Sequence, residues 1–282
     1  SWDVGAVTNA MSGMFRDATA FNQPLNDWDV SNVENMSSMF QRATSFNQDL
    51  SDWKLTSVGG TGLWDMFNGA TSFNQSLVGW ISPSNSPGVK TLVRVFQGAT
   101  AFNQDLSSWD TADIESFQFL FDGATSFNQN LSSWDVSSLD RADGMFKGVE
   151  LSVRNYDALL TAWEAQLVEN DVTFDGGLSK YSSRAAVARQ ALIDDDSWTI
   201  TDGGQLPAWS VASDGIVRCS GEALGSTQTL TINDQEVTFT KRARAQIEQL
   251  LSANPNNPEL ATTCTSGITD MSSLFKNNLV FD

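Results

Sequence analysis

One phrase returns along the first half of the chain and dictates what can be built from it. Phe-Asn-Gln occurs at Phe21, Phe46, Phe73, Phe102 and Phe127, at steps of 25, 27, 29 and 25 residues. A second phenylalanine precedes each by six positions, at Phe15, Phe40, Phe67, Phe96 and Phe121, and an alanine follows that residue by three. A leucine follows at Leu25, Leu50, Leu77, Leu106 and Leu131, and each unit closes on a tryptophan: Trp28, Trp53, Trp80, Trp109 and Trp134. The internal offsets are constant, so the extra residues fall after the tryptophan, most clearly in Ser82 to Gly88 with its two prolines. Length variation confined to one sector marks a surface loop. A unit of about 25 residues cannot bury its own apolar face, and stacking on its neighbours must do so, which makes a solenoid.

Within one unit, Val33, Met36, Phe40 and Ala43 are spaced 3, 4 and 3, which predicts one face of a short helix with Asp29 or Ser31 as its N-cap. Phe46 to Leu50 reads as extended. The fold class expected is therefore an α/β repeat solenoid with a short helix plus a strand per coil. Phe15, Phe21, Trp28, Phe40, Phe46, Trp53, Phe67, Phe73, Trp80, Phe96, Phe102, Trp109, Phe121, Phe127 and Trp134 form its core. Fully burying one such side chain contributes roughly 2 to 3 kcal/mol. The amides that follow each phenylalanine, Asn22, Gln23, Asn47, Gln48, Asn74, Gln75, Asn103, Gln104, Asn128 and Gln129, make a polar ladder. A ladder exposed to solvent would suit sugar or ice binding. Its pairing with core phenylalanines favours a plainer role, satisfying turn backbone between coils. A flat array of threonines, which ice binding would need, is not expected.

Met36-Ser-Ser-Met-Phe40, followed by Ala43-Thr-Ser-Phe-Asn-Gln-Asp-Leu-Ser-Asp-Trp53, resembles the BspA-like leucine-rich-repeat surface proteins. The same repeat occurs in mycoplasma surface lipoproteins and in very large proteins of marine bacteria. The resemblance covers residues 1 to about 150. It implies a leucine-rich-repeat-like solenoid, a cell-surface or secreted location and an adhesive or structural role, with no catalytic residues to carry over. Unit three departs from the pattern at Gly59-Gly60-Thr61-Gly62, and unit four replaces the methionine pair with Leu92 and Val95.

Residues 151–204 change pattern and read as two longer helix–strand units that cap the solenoid. The first has a helical face of Leu159, Leu160, Trp163 and Leu167 and a strand at Val172 to Phe174; the second has a helix over 183–193 and a strand at Trp198 to Thr201. Similar segments often end such arrays in the resembled family. Each is followed by Asp-Gly-Gly, and Asp175 and Asp202 have the side chains of calcium ligands, although lone Asp-Gly sites are ordinarily turns.

Residues 205–267 form a linker module. Thr229 to Ile232 and Glu236 to Thr240 alternate around a turn as a hairpin, and Lys241 to Leu251 is an amphipathic helix. Cys219 and Cys264 bracket the module, 45 residues apart. A disulfide there would remove roughly 4 kcal/mol of unfolded-chain entropy. Two buried thiols are the alternative. The extracellular location that the resemblance implies favours the bridge, making this a small disulfide-linked α+β module.

Residues 268–282 restart the repeat with Met271 to Phe275 and Phe281, and Ser1-Trp2-Asp3 reads as the tail of a preceding coil. The expectation is a segment of a long tandem-repeat polypeptide, its partners being neighbouring repeats, self-association into fibres, and surface glycans or proteins.

Composition narrows the chemistry. Histidine is absent, which removes His-based triads and imidazole metal sites. An enzyme would have to use paired carboxylates, but the Asp and Glu sit in positions explained by caps, turns and solvent exposure, so neither a catalytic residue nor a cofactor is expected. The formal charge of -18 repels nucleic-acid phosphates, and no stretch approaches the roughly 18 apolar residues of a membrane span. The acidity divides evenly, -10 over residues 1–150 and -8 over the rest, as a generally solvated surface requires.

Overall fold

The computed structural model describes residues 10–206 and, beyond them, 210–211, 217–218, 227–232, 235–242, 246 and 263–264. Contacts divide the chain into two units, one of Ser1–Tyr181 with Ala185–Gly204, the other of Ser182–Arg184 with Gln205–Asp282.

The first unit is a stack of repeats, and its binding rule is visible in coil two. The backbone N–H groups of Met36, Ser38, Phe40 and Arg42 donate to the carbonyls of Gly62, Trp64, Met66 and Asn68 in coil three. The intervening Met39, Gln41 and Ala43 donate three residues back, to Met36, Ser38 and Phe40. Alternate residues thus join neighbouring coils while the others close tight turns. The same alternation recurs in coil four, where Arg94, Phe96 and Gly98 donate to Gln118, Leu120 and Asp122, and in coil five.

This segment is not the short helix that its spacing predicts. An α-helix would direct every N–H to the carbonyl four residues back, leaving none for the next coil. Here a left-handed residue recurs every fourth position, as in Ser38 (φ 57°) and Arg42 (φ 57°), or Arg94 (φ 54°) and Gly98 (φ 68°). A spacing of 3, 4 and 3 keeps Met36, Phe40 and Ala43 inward in this series of turns just as it would in a helix. Asp29 is no helix cap; its carboxylate accepts from the Ser31 backbone N–H and hydroxyl in a local turn. Nor does Phe46 to Leu50 form a strand.

A thin parallel seam accompanies the turns. Strand β1 (Gly59–Gly60) pairs with β2 (Gly88–Val89), and single bridges join Ala10 to Asn35, Thr91 to Ser116 and Ser116 to Arg141. Beyond the repeats the seam passes through an Ala142–Phe174 bridge to β3 (Thr173–Asp175), which pairs in parallel with β4 (Thr199–Thr201). Helix α1 (Val153–Glu164) precedes β3, and α2 (Ala186–Asp194) lies between β3 and β4. Ser152 caps α1 through its side chain, which accepts from the Asn155 N–H.

Tyr156, Leu159, Leu160 and Trp163 bury one face of α1. Leu167 was expected on that face but is 92% exposed. The helix ends three residues earlier, and Gln166 folds back to donate to the Trp134 carbonyl and accept from the Val136 N–H.

In the second unit, β5 (Ser210–Val211) and β6 (Val217–Arg218) are antiparallel. β7 (Thr227–Ile232) and β8 (Gln235–Lys241) form a hairpin with Leu230 opposite Val237, and β9 (Thr263–Cys264) pairs in parallel with β8. Cys219, the side-chain pairing of Cys264, most of the helix expected over 241–251, Ser1 to Asp3 and the restarted repeat after 267 lie outside the described residues.

Candidate functional site

The aromatic side chains form continuous columns through the stack. Phe15, Phe40, Phe67, Phe96, Phe121 and Phe146 lie 5.5 to 5.8 Å apart, centroid to centroid, nearly parallel. Phe21, Phe46, Phe73, Phe102 and Phe127 form a second column at 5.9 to 6.1 Å. Within each of these five coils the two rings stack at about 4 Å. Trp53 stacks on Trp80, and Trp109 on Trp134. Each indole N–H also donates to the leucine carbonyl of the preceding coil: Trp53 to Leu25, Trp80 to Leu50, Trp109 to Leu77 and Trp134 to Leu106. Trp163 of α1 continues the rule on Leu131. Phe21 and Trp28 are half-buried; the other expected core aromatics are buried. The indole serves two purposes here, filling the column and carrying a donor.

The asparagines do for Phe46 to Leu50 what backbone does for the turns. Asn22 Oδ1 accepts the Asn47 N–H, Asn47 that of Asn74, Asn74 that of Asn103, and Asn103 that of Asn128. Gln48, Gln75, Gln104 and Gln129 each donate a side-chain N–H to the same Oδ1; Gln23, in the first described coil, is exposed. Ser152 and Asn155 of the α1 cap take these two roles on Asn128. The asparagine Oδ1 atoms from Asn22 to Asn103 and the side-chain N–H groups of Gln48, Gln75, Gln104 and Gln129 are therefore engaged in holding coils together.

The threonines after each alanine do stack into a column, contrary to expectation. Thr44, Thr71 and Thr100 each turn their hydroxyl back onto the preceding threonine's carbonyl, at 3.3 Å.

Two ion pairs, not singled out by sequence reasoning, join neighbouring coils. Arg42 pairs with Asp17 one coil away, and that hydrogen bond holds the Asp17 carboxyl below the usual aspartate range. Arg94 pairs with Asp65 in the same manner, through two parallel hydrogen bonds of 2.8 and 2.9 Å. Their signal in the sequence was opposite charge one repeat apart.

The calcium candidates have other duties. Asp175 Oδ1 accepts the Gly177 N–H across its turn. Asp202 is nearly inaccessible; its Oδ1 takes the Gly204 N–H, and its Oδ2 takes Arg189 Nε at 2.7 Å and the Tyr156 hydroxyl at 2.9 Å. The Arg189 guanidinium also lies 5.0 Å from the Tyr181 ring centroid, so one tyrosine contacts each member of the Arg189–Asp202 pair. Burial pushes the Tyr156 hydroxyl well above its ordinary pKa, and the neighbouring Asp202 charge pushes it further. A Cβ on Gly176 would overlap the Tyr156 hydroxyl, which explains a glycine there.

Glu34, Asn35, Ser57 and Gly59 to Gly62 line an open notch between coils two and three. Trp64, half-buried and outside the aromatic columns, donates its Nε1–H to Thr91 Oγ1 of coil four at 2.6 Å.

Stacked aromatics, an amide ladder and alternating backbone bonds at coil-length separation define a tandem-repeat protein. The chain belongs to the family described as "Mycoplasma protein of unknown function, DUF285", which it matches over residues 1–80 and 61–163, together more than half its length. No curated protein and no solved structure matches it.

Proposed function

We propose that the chain is a non-catalytic structural or adhesive repeat protein of the cell surface, a leucine-rich-repeat-like solenoid of the BspA type. One observation carries the reading: the residues that recur in every repeat are used in coil-to-coil contact. The phenylalanines and tryptophans stack, the indole N–H groups bind leucine carbonyls, and the asparagines bind backbone. What recurs serves to build a surface, and what differs between coils is left to recognise anything. Carboxylates that an enzyme would need are held in turns and pairs, as Asp29 with Ser31, Asp105 with Ser107 and Asp202 with Arg189. The family description, a repeat found in mycoplasma proteins, agrees with a surface role without specifying one.

The test is accessibility on intact cells of the source organism. Antibody raised against residues 10–206 should label unpermeabilised cells, and brief external protease should remove the signal. Labelling only after lysis would overturn the surface assignment.

A further inference from the structure

Coil two receives its neighbour in a fixed way. Its Ser37, Met39 and Gln41 carbonyls accept the N–H groups of Gly13, Phe15 and Asp17 in coil one. The same positions in coil one are Ser12, Met14 and Arg16, and among the described residues no N–H donates to their carbonyls. The Asn47 N–H has Asn22 as its acceptor, while the Asn22 N–H has no ladder asparagine among the described residues.

The apolar side chains of coil one are uncovered in step. Met14 is 41% exposed, while Met39, one coil on, is fully buried. Ala18, Phe21 and Trp28 are half-buried, whereas Ala43, Phe46 and Trp53 are inaccessible. In coil two the rings are covered by those of coil one, Phe40 by Phe15 and Phe46 by Phe21. The outer face of coil one therefore combines a row of backbone acceptors with an apolar strip, which is what each later coil offers to the coil before it. Unpaired backbone beside apolar side chains is a template for another chain.

We propose that residues 271–281 of a second copy of the chain cover this face. Met271, Phe275 and Phe281 repeat the spacing of Met11, Phe15 and Phe21, with Leu274 at the place of Met14. Asn277 stands two after the first phenylalanine, where a left-handed residue recurs, and asparagine is among the few residues that tolerate that geometry. Asp282 keeps a side-chain acceptor at the ladder position, and Asn278 departs from the alanine of the coils. Coil one of the second copy is no substitute, because its own N–H groups are already bonded to coil two. Five ring steps of 5.5 to 5.8 Å separate Phe15 from Phe146 at the capped end of the stack. The segment follows that cap in sequence, so the occupant assigned to coil one belongs to a neighbouring copy. A contact between two different surfaces does not pair off and propagates head to tail. The inference rests on the structural reading above and gives it a partner. It is tested in solution, so its failure is separate from failure of the surface assignment.

The experiment is analytical sedimentation of the purified full chain over a range of concentrations, with two variants. The unaltered chain should form dimers and then longer species as its concentration rises. Met14→Arg places a charge on the receiving face at an exposed position, and Phe275→Asp disrupts the inserting segment. Each variant alone should lose association while keeping the thermal midpoint of the unaltered chain. Mixed in equal amounts, the two should form a two-chain species and nothing longer, because one intact face then meets one intact segment. Should Met14→Arg fail to fold, loss of association by Phe275→Asp remains the required result. An unaltered chain that stays monomeric throughout, as folding back within one copy would leave it, overturns the proposal. Association that survives in either variant, or a mixture of two folded variants that stays monomeric, does the same.

Discussion

At the residue scale, the most demanding side chains are those whose partners are buried. Asp202 is sealed between Arg189 and Tyr156, and removing the arginine would leave its charge uncompensated. Arg189→Met should therefore cost about 3 kcal/mol or more, measured by denaturant unfolding. Burial of the Tyr156 hydroxyl, with the Asp202 charge beside it, sets the alkaline limit. The Tyr156 hydroxyl stays protonated in the folded chain above pH values at which an unfolded tyrosine, near 10, has ionised. The unfolded state then binds fewer protons, so stability falls as pH rises above about 10. Tyrosinate absorbance from Tyr156 should appear only together with unfolding, and Tyr156→Phe should flatten that limb. The amide ladder gives a finer contrast. Asn74→Ala removes the acceptor of two donors, the Asn103 N–H and the Gln104 side chain, and should cost about 0.5 to 1.5 kcal/mol. Asn74→Asp keeps the acceptor and should cost clearly less.

At the scale of the element, the turn segment separates what the sequence displays from what it conceals. The aromatic columns were legible because ring stacking requires the same residue at the same offset in every coil. The path of the backbone was not, since Met36, Phe40 and Ala43 point inward equally well from a helix or from turns with a left-handed residue every fourth position. The discriminating signal was present in the glycines two places after the core phenylalanine, Gly69, Gly98, Gly123 and Gly148. A recurrent glycine inside a helix costs about 1 kcal/mol each time, whereas at φ near +70° it is the natural residue. Asp17 and Arg42 hide the rule in the first two coils, where they hold left-handed geometry and pair with each other. The glycines also stack, the Cα of Gly69 lying 3.6 Å from where a Gly98 Cβ would be. Gly98→Ala should therefore destabilise by about 1 kcal/mol, the reverse of the gain expected of that change in a helix. The notch was half legible: the glycine run of unit three stood out as a departure, but the Glu34 and Asn35 that face it come from another coil.

At the scale of the whole molecule, each coil is defined by its neighbours, so stability should be a sum over coils and their interfaces. The cap formed by α1 belongs to this arithmetic, with Ser152, Asn155 and Trp163 repeating the contacts of a coil that is not itself a repeat. The even spread of negative charge leaves no part of the first unit as an electrostatic site and points recognition toward local irregularities such as coil three. The central claim, that the coil is the structural unit and its recurrent residues serve stacking, predicts the outcome of one deletion pair. Excising residues 102–126, one full 25-residue period, joins Ala101 to Phe127 with every column in phase. That variant should unfold cooperatively, with a thermal midpoint only a few degrees lower. Excising about half as many residues from the same point should abolish cooperative unfolding, because the columns fall out of register. Equal tolerance of both deletions, or loss of folding in both, would contradict the account.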